Sequence, residues 1–163
     1  MHPAIRTLAA LAALAALQAP VARAQPGDVP PTDSAALLGW LQAGGYRKWA
    51  RESSPHKSLG PHPVQVVAYL NPPLDKSLAA GAAAHPKGAA AVKELLDAAG
   101  KLTGWAVSVK TSSDSDGGKG WYWYEILGTT ASGNVVARAN GVPLCFGCHA
   151  PGRDYVLIGH PLK

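Results

Sequence analysis

Trp105-Ala106-Val107-Ser108-Val109-Lys110 and Trp121-Tyr122-Trp123-Tyr124-Glu125-Ile126 decide the fold. Both runs are rich in β-branched and aromatic residues, and the Thr111 to Gly120 stretch between them is Ser/Asp/Gly-rich. The pair therefore reads as an antiparallel hairpin. Alternation sends Trp121 and Trp123 to one face of the second strand and Tyr122 and Tyr124 to the other. These rings are either core or dimer packing or the wall of a binding site.

Working outward, Val64 to Leu70 has the β-branched content of another strand. Asn71-Pro72-Pro73 then supplies an N-cap with prolines in the first turn, which predicts a helix over Leu74 to Ala80. Asp33 or Thr32 can cap an earlier helix whose apolar positions are Ala36, Leu37, Trp40 and Leu41. Gly44-Gly45 interrupts it, and a second short helix is expected through Tyr46 to Ala50. Ala89 to Gly100 is ambiguous, because Val92, Leu95, Leu96 and Ala99 fit a helical face while Ala90-Val92-Glu94 fits a strand. Asp114-Ser115-Asp116 begins like a calcium loop, but Gly118 takes the next ligand position and no glutamate closes it.

The chemistry is concentrated in Cys145-Phe146-Gly147-Cys148-His149, which holds the only two cysteines of the chain. C-x-x-C-H is the spacing at which two thiols form thioethers to one haem while the histidine ligates its iron. A redox dithiol would open a helix early in a βαβ unit, and a zinc site would need a second ligand pair. Neither context is present. Pro143 can open a short helix carrying the motif, and Tyr155-Val156-Leu157-Ile158 can return as a strand or an apolar strap.

The only methionine is Met1, so a mature chain offers no thioether as sixth ligand. The iron is then either five-coordinate with an open face or closed by a second histidine, with His56, His62, His85 and His160 as candidates.

The chain begins with a short basic stretch to Arg6, an Ala/Leu-rich run to Ala22 and a small-x-small Ala22-Arg23-Ala24. Residues 1–24 are therefore expected to be a signal peptide, and the protein to be periplasmic or otherwise exported without a membrane span after cleavage. Residues 25–33 are expected as a flexible leader with nothing to pack, and 34–163 as one domain. Of 15 Lys and Arg, Arg6 and Arg23 leave with the signal peptide, so 13 face 10 acidic residues with no basic block. That distribution excludes a nucleic-acid stripe.

Taken in order, several pieces resemble the cytochrome P-460 family, which includes the β-type cytochromes c′. They are Tyr46-Arg47-Lys48-Trp49, His62 through Tyr69-Leu70-Asn71, Pro86-Lys87-Gly88 with Val92-Lys93-Glu94-Leu95, Val109-Lys110, Gly120-Trp121-Tyr122, and the late C-x-x-C-H with Asp154-Tyr155-Val156. The resemblance spans almost all of the mature chain. It implies an α+β fold, mostly antiparallel β-sheet with short flanking helices around one covalently attached haem c, and a homodimer. It implies His149 as proximal ligand, with Cys145 and Cys148 holding the haem. It also favours a strand for the Val92-Lys93-Glu94 stretch, against the helical periodicity.

In cytochromes P-460 proper, a lysine matching Lys93 bonds to a meso carbon of the porphyrin; the alternative is a solvated Lys93 beside Glu94. Those enzymes oxidise hydroxylamine to nitrogen oxides and pass electrons to an exported acceptor. Val64 to Leu70 carries no arginine and Thr103 to Val109 no glutamate, where the hydroxylamine-oxidising members have charged distal groups. Glu125 can stand in as a base. An apolar distal face instead favours binding nitric oxide or carbon monoxide, although the phenylalanine typical there is absent, Phe146 lying inside the haem motif. A third possibility is a bis-histidine electron carrier.

Overall fold

A computed structural model describes residues 28–58, 60–62 and 65–163. The expected signal peptide lies outside them, as do residues 25–27, 59, 63 and 64. The fold is α+β: a seven-stranded antiparallel sheet with three short α-helices among the described residues.

Helix α1 (Ser34–Gln42) is capped by Asp33, whose carboxylate accepts the Ala36 N–H at 2.9 Å. Strands β1 (Ala50–Arg51) and β2 (His56–Lys57) are two-residue pieces on β3 (Gln65–Leu70). Helix α2 (Pro72–Ala79) follows, then β4 (Ala90–Leu96), β5 (Leu102–Lys110), β6 (Trp121–Leu127), β7 (Asn134–Asn140) and α3 (Pro143–His149). The sheet order is β1-β3-β4-β5-β6-β7, with β2 also on β3.

The β5–β6 hairpin forms as expected, with Ser108 opposite Trp123 and Lys110 opposite Trp121. Ala90–Leu96 is the strand that the resemblance favoured over helical periodicity, central in the sheet with five of seven residues buried, so its apolar run lacks the one-sided alternation that marks an edge. Other expectations need correction. The expected helix over Tyr46 to Ala50 does not form: Tyr46 to Trp49 is turn and bend and Ala50 opens β1, although Tyr46 and Trp49 do pack in the core. Of the two forms open to Tyr155–Ile158, strand or strap, it takes the strap, with a single bridge between Arg153 and Val156 as its ladder contact among the described residues. The described part of the leader, from Asp28, is docked rather than loose: Val29 packs on the core and Asn71 Nδ2 donates to the Asp28 carbonyl at 2.9 Å.

Asn71 explains how β3, α2 and β4 are joined. Fully buried, it accepts from Leu74 N and Ala90 N and donates to the Asp28 and Gly88 carbonyls, so its amide is satisfied on every side.

The two sheet faces are covered differently. One face packs Tyr69, Val92, Val107, Tyr122 and Tyr124 under α1, Tyr46 and Trp49. There Glu94 accepts from Tyr46 OH at 2.5 Å and Tyr69 OH at 3.2 Å. The other face carries Trp121 and Trp123 against Val156, with Phe146 and Tyr155 packed on them. Gly118, at φ 97°, lets α3 seat there: a Cβ at this position would lie 2.6 Å from the Phe146 Cβ.

Candidate functional site

On that second face the cross-strand register sets Ala68, Lys93, Ala106, Glu125 and Ala137 in one row. The next row sets Ala91 and Ser108 beside Trp123. Small side chains between Lys93 and Glu125 leave room above the sheet, and α3 with the strap after it roofs that room. The result is a cavity of ≈ 620 Å³, within the range of cofactor sites.

Lys93, Glu125, Cys145, Cys148 and His149 all line it. Pro143 at the first helical position starts α3, and the helical spacing of Cys145 and Cys148 puts both sulfurs on one side. Both are free thiols, Cys145 half-buried and Cys148 exposed. Burial, with lesser help from Glu125 and Cys148, pushes the Cys145 thiol up to about 11. A reactive C-x-x-C cysteine has its thiol lowered instead, so this environment does not suit a redox dithiol.

His149 ends the helix with its ring 4.7 Å from that of Trp123. Its Nδ1 lies 2.9 Å from the Tyr155 carbonyl, an acceptor, so Nδ1 carries the proton and Nε2 keeps its lone pair. Burial lowers its pKa to about 4, outweighing the opposing effect of the Tyr155 bond, so the ring is neutral at neutral pH. Both features are those of an imidazole ready to ligate a metal.

Strand alternation separates Lys93 from Glu94, sending Glu94 to the opposite core and Lys93 into the cavity wall. The alternative of a solvated lysine beside Glu94 is thereby corrected. Burial lowers the Lys93 amine below its ordinary value, while Glu52 and Glu125 pull the other way without overcoming it. Glu125 Oε1 lies 3.3 Å from His62 Nδ1, both side chains being mostly buried. Glu52 Oε2 accepts the Ala68 N–H at 2.7 Å and meets His56 Nε2 at 3.1 Å.

The cavity wall is thus not uniformly apolar, as the lack of charged residues on the flanking strands implied. Glu52, His56 and His62 reach it from the segment before β3, whose sequence shows no periodic pattern. Of the candidate sixth-ligand histidines, His56 and His62 line the cavity. His85 is buried elsewhere, with Nδ1 2.9 Å from Ser77 Oγ, and His160 meets Asp75 at 3.1 Å.

The residues present fit a planar, mostly apolar group joined to α3. Trp123 Nε1 is buried with no hydrogen-bond partner among the described residues, and Trp123 lines the cavity. An acceptor carried by an occupant would satisfy that N–H. Tyr155, Val156, Leu157 and Ile158 form the strap along one side. Among the described residues no group of three or more His, Cys, Asp or Glu clusters to hold a bare metal ion. In the look-alike calcium loop, the Asp114 carboxylate accepts the Asp116 N–H at 2.9 Å.

Compared with models of known protein families the chain matches none, and a search of curated proteins returns no relative.

Proposed function

We propose that this chain is an exported monohaem c-type cytochrome, resembling cytochrome P-460, that binds small nitrogen species and oxidises hydroxylamine to nitrogen oxides. The observation carrying the proposal is a C-x-x-C-H helix that presents a neutral, Nδ1-anchored His149 to a cavity of ≈ 620 Å³. Cys145 and Cys148 would hold the haem through thioethers, and His149 Nε2 would ligate the iron. When bound, the haem supplies an iron that takes up a small ligand and exchanges electrons with an exported acceptor.

The chain's own groups divide the remaining work. Glu125, set against His62, is placed to take protons from a bound substrate and hand them to the His62 imidazole. Burial lowers the Lys93 pKa and so makes its amine easier to deprotonate, the direction that would favour its bonding to a porphyrin carbon were a haem held there. Such a C–N bond would replace one N–H and one C–H bond with release of two protons and two electrons, so the tether would need a two-electron oxidant such as peroxide. Apolar strap residues exclude water from the iron's surroundings. Release after signal-peptide cleavage and assembly as a homodimer belong to the same proposal; no helix among the described residues is long and apolar enough to cross a membrane.

The polar wall around Glu125 favours the oxidase over a non-catalytic nitric oxide or carbon monoxide binder. A spectrum of the holoprotein with and without carbon monoxide, followed by hydroxylamine with an electron acceptor, tests the proposal. A high-spin iron that binds carbon monoxide, with hydroxylamine turnover, is expected. Glu125→Gln should lower turnover by about 10²–10⁴-fold while ligand uptake persists. A six-coordinate spectrum unmoved by carbon monoxide would replace the proposal with a bis-histidine carrier. Ligand uptake without turnover would replace it with a binder.

A further inference from the structure

Asp154 and Tyr155 are consecutive non-glycine residues in the left-handed region, at φ 49° and 68°. Such conformations are strained for residues with a side chain and persist only where neighbours impose them. Asp154 is where they are imposed. Its Oδ2 accepts from His85 N at 2.7 Å and from Lys110 Nζ at 2.5 Å, and its Oδ1 accepts from Ser115 Oγ. The Lys110 side chain is fully buried and that of Asp154 nearly so, at 0% and 7% exposure. His85 Nε2 adds a contact to the Arg153 carbonyl at 3.2 Å, and Gly152 leaves no space for a Cβ, which would lie 2.5 Å from the Val156 carbonyl oxygen.

Three separate segments therefore converge on one carboxylate: the end of β5, the loop after it, and the stretch following α2. What this clamp holds in place is the next residue's carbonyl, the one that His149 Nδ1 donates to at 2.9 Å. A well-packed apolar pair could stabilise the same loop as well as a buried ion pair does. A carboxylate adds fixed direction to the turn it grips.

We infer that Asp154 is the positioning residue for the proximal imidazole, its contacts with Lys110, Ser115 and the His85 backbone fixing the Tyr155 carbonyl and through it the orientation and donor strength of His149. The inference rests on the proposed role of His149 as iron ligand. A firm Nδ1–H···O bond strengthens the imidazole as a donor and favours ferric iron, so loosening the clamp weakens the iron–imidazole bond and raises the reduction potential.

The test uses the ferrous holoprotein and reads the iron–imidazole stretching frequency by resonance Raman, with the reduction potential alongside. Asp154→Ala should lower the frequency and raise the potential. Asp154→Asn, which can still accept from Lys110 and His85, should do so less, and Ser115→Ala least. Leu38→Ala, in the core of the opposite face, should lower the melting temperature and leave both readouts alone. A wild-type frequency and potential in Asp154→Ala would overturn the inference. If Asp154→Ala yields no holoprotein, Ser115→Ala decides by the same two readouts, a shift supporting the clamp and no shift overturning it. Absence of any iron–imidazole band in the wild-type protein would instead remove the reading of His149 on which the clamp depends.

Discussion

Lys93 on β4 and Lys110 on β5 point to the same face of the same sheet, about 13 Å apart along the strands, yet their surroundings differ. Lys110 is 1% exposed and makes an ion pair with Asp154 at 2.5 Å, with the Trp121 ring 5.8 Å away. Lys93 is half-buried, feels Glu52 and Glu125 only at a distance, and has its amine pK lowered by desolvation. The first lysine is committed to structure. The second is held in a state that favours losing its proton, which costs stability and confers reactivity. What separates them is whether a carboxylate is brought into contact, and the strained turn after α3 brings one only to Lys110.

The comparison is broken most readily at the ion pair. Asp154→Ala leaves the Lys110 ammonium buried without its partner and should cost about 3–5 kcal/mol in urea unfolding. A loss under about 1 kcal/mol would show that the pair does not anchor the face. Acid should act on the same contact. Burial pushes the Asp154 carboxyl up, but bonds from His85 N, Lys110 and Ser115 outweigh it and hold the pK below its unfolded value of 3.8. The stability it contributes is therefore present above that value and lost as pH falls through the lower folded one. Asp154→Asn should flatten this limb of the acid-unfolding curve.

Amine labelling of haem-free protein sharpens the contrast. Lys93, with its lowered pK, should acetylate in the native state near neutral pH, while Lys110 should react only on unfolding. Equal protection of the two would contradict the reading of Lys93. The smallest effect belongs to Lys93→Met. Since the unfolded chain binds this proton more readily than the folded one, the substitution should leave stability within about 1 kcal/mol of wild type, on the stabilised side.

Those two lysines also mark how far the sequence could be read. The β5–β6 hairpin, the Asp33 and Asn71 caps and the Pro143 start of α3 were legible because local chemistry specifies each. Strand β7 was not: mostly exposed, it has no alternating apolar face to announce it. In β4, burial on both faces let the apolar positions imitate a helix. At the site, Cys145, Cys148 and His149 declare themselves by spacing, and Lys93 by resemblance. The acceptor that fixes His149 is a backbone carbonyl, which leaves no residue signature. The pairing of His62 with Glu125 spans 63 positions, and that of Lys110 with Asp154 spans 44, so only the folded sheet reveals them.

The central claim is that a haem is held at the cavity by Cys145 and Cys148, with Lys93 in its wall. Intact mass and peptide mapping of protein exported alongside a haem-attachment system test it most directly. The expected result is one haem on the peptide containing Cys145 and Cys148, joined in the oxidised protein to the Lys93 peptide as well. Colourless protein with both thiols free would contradict the account.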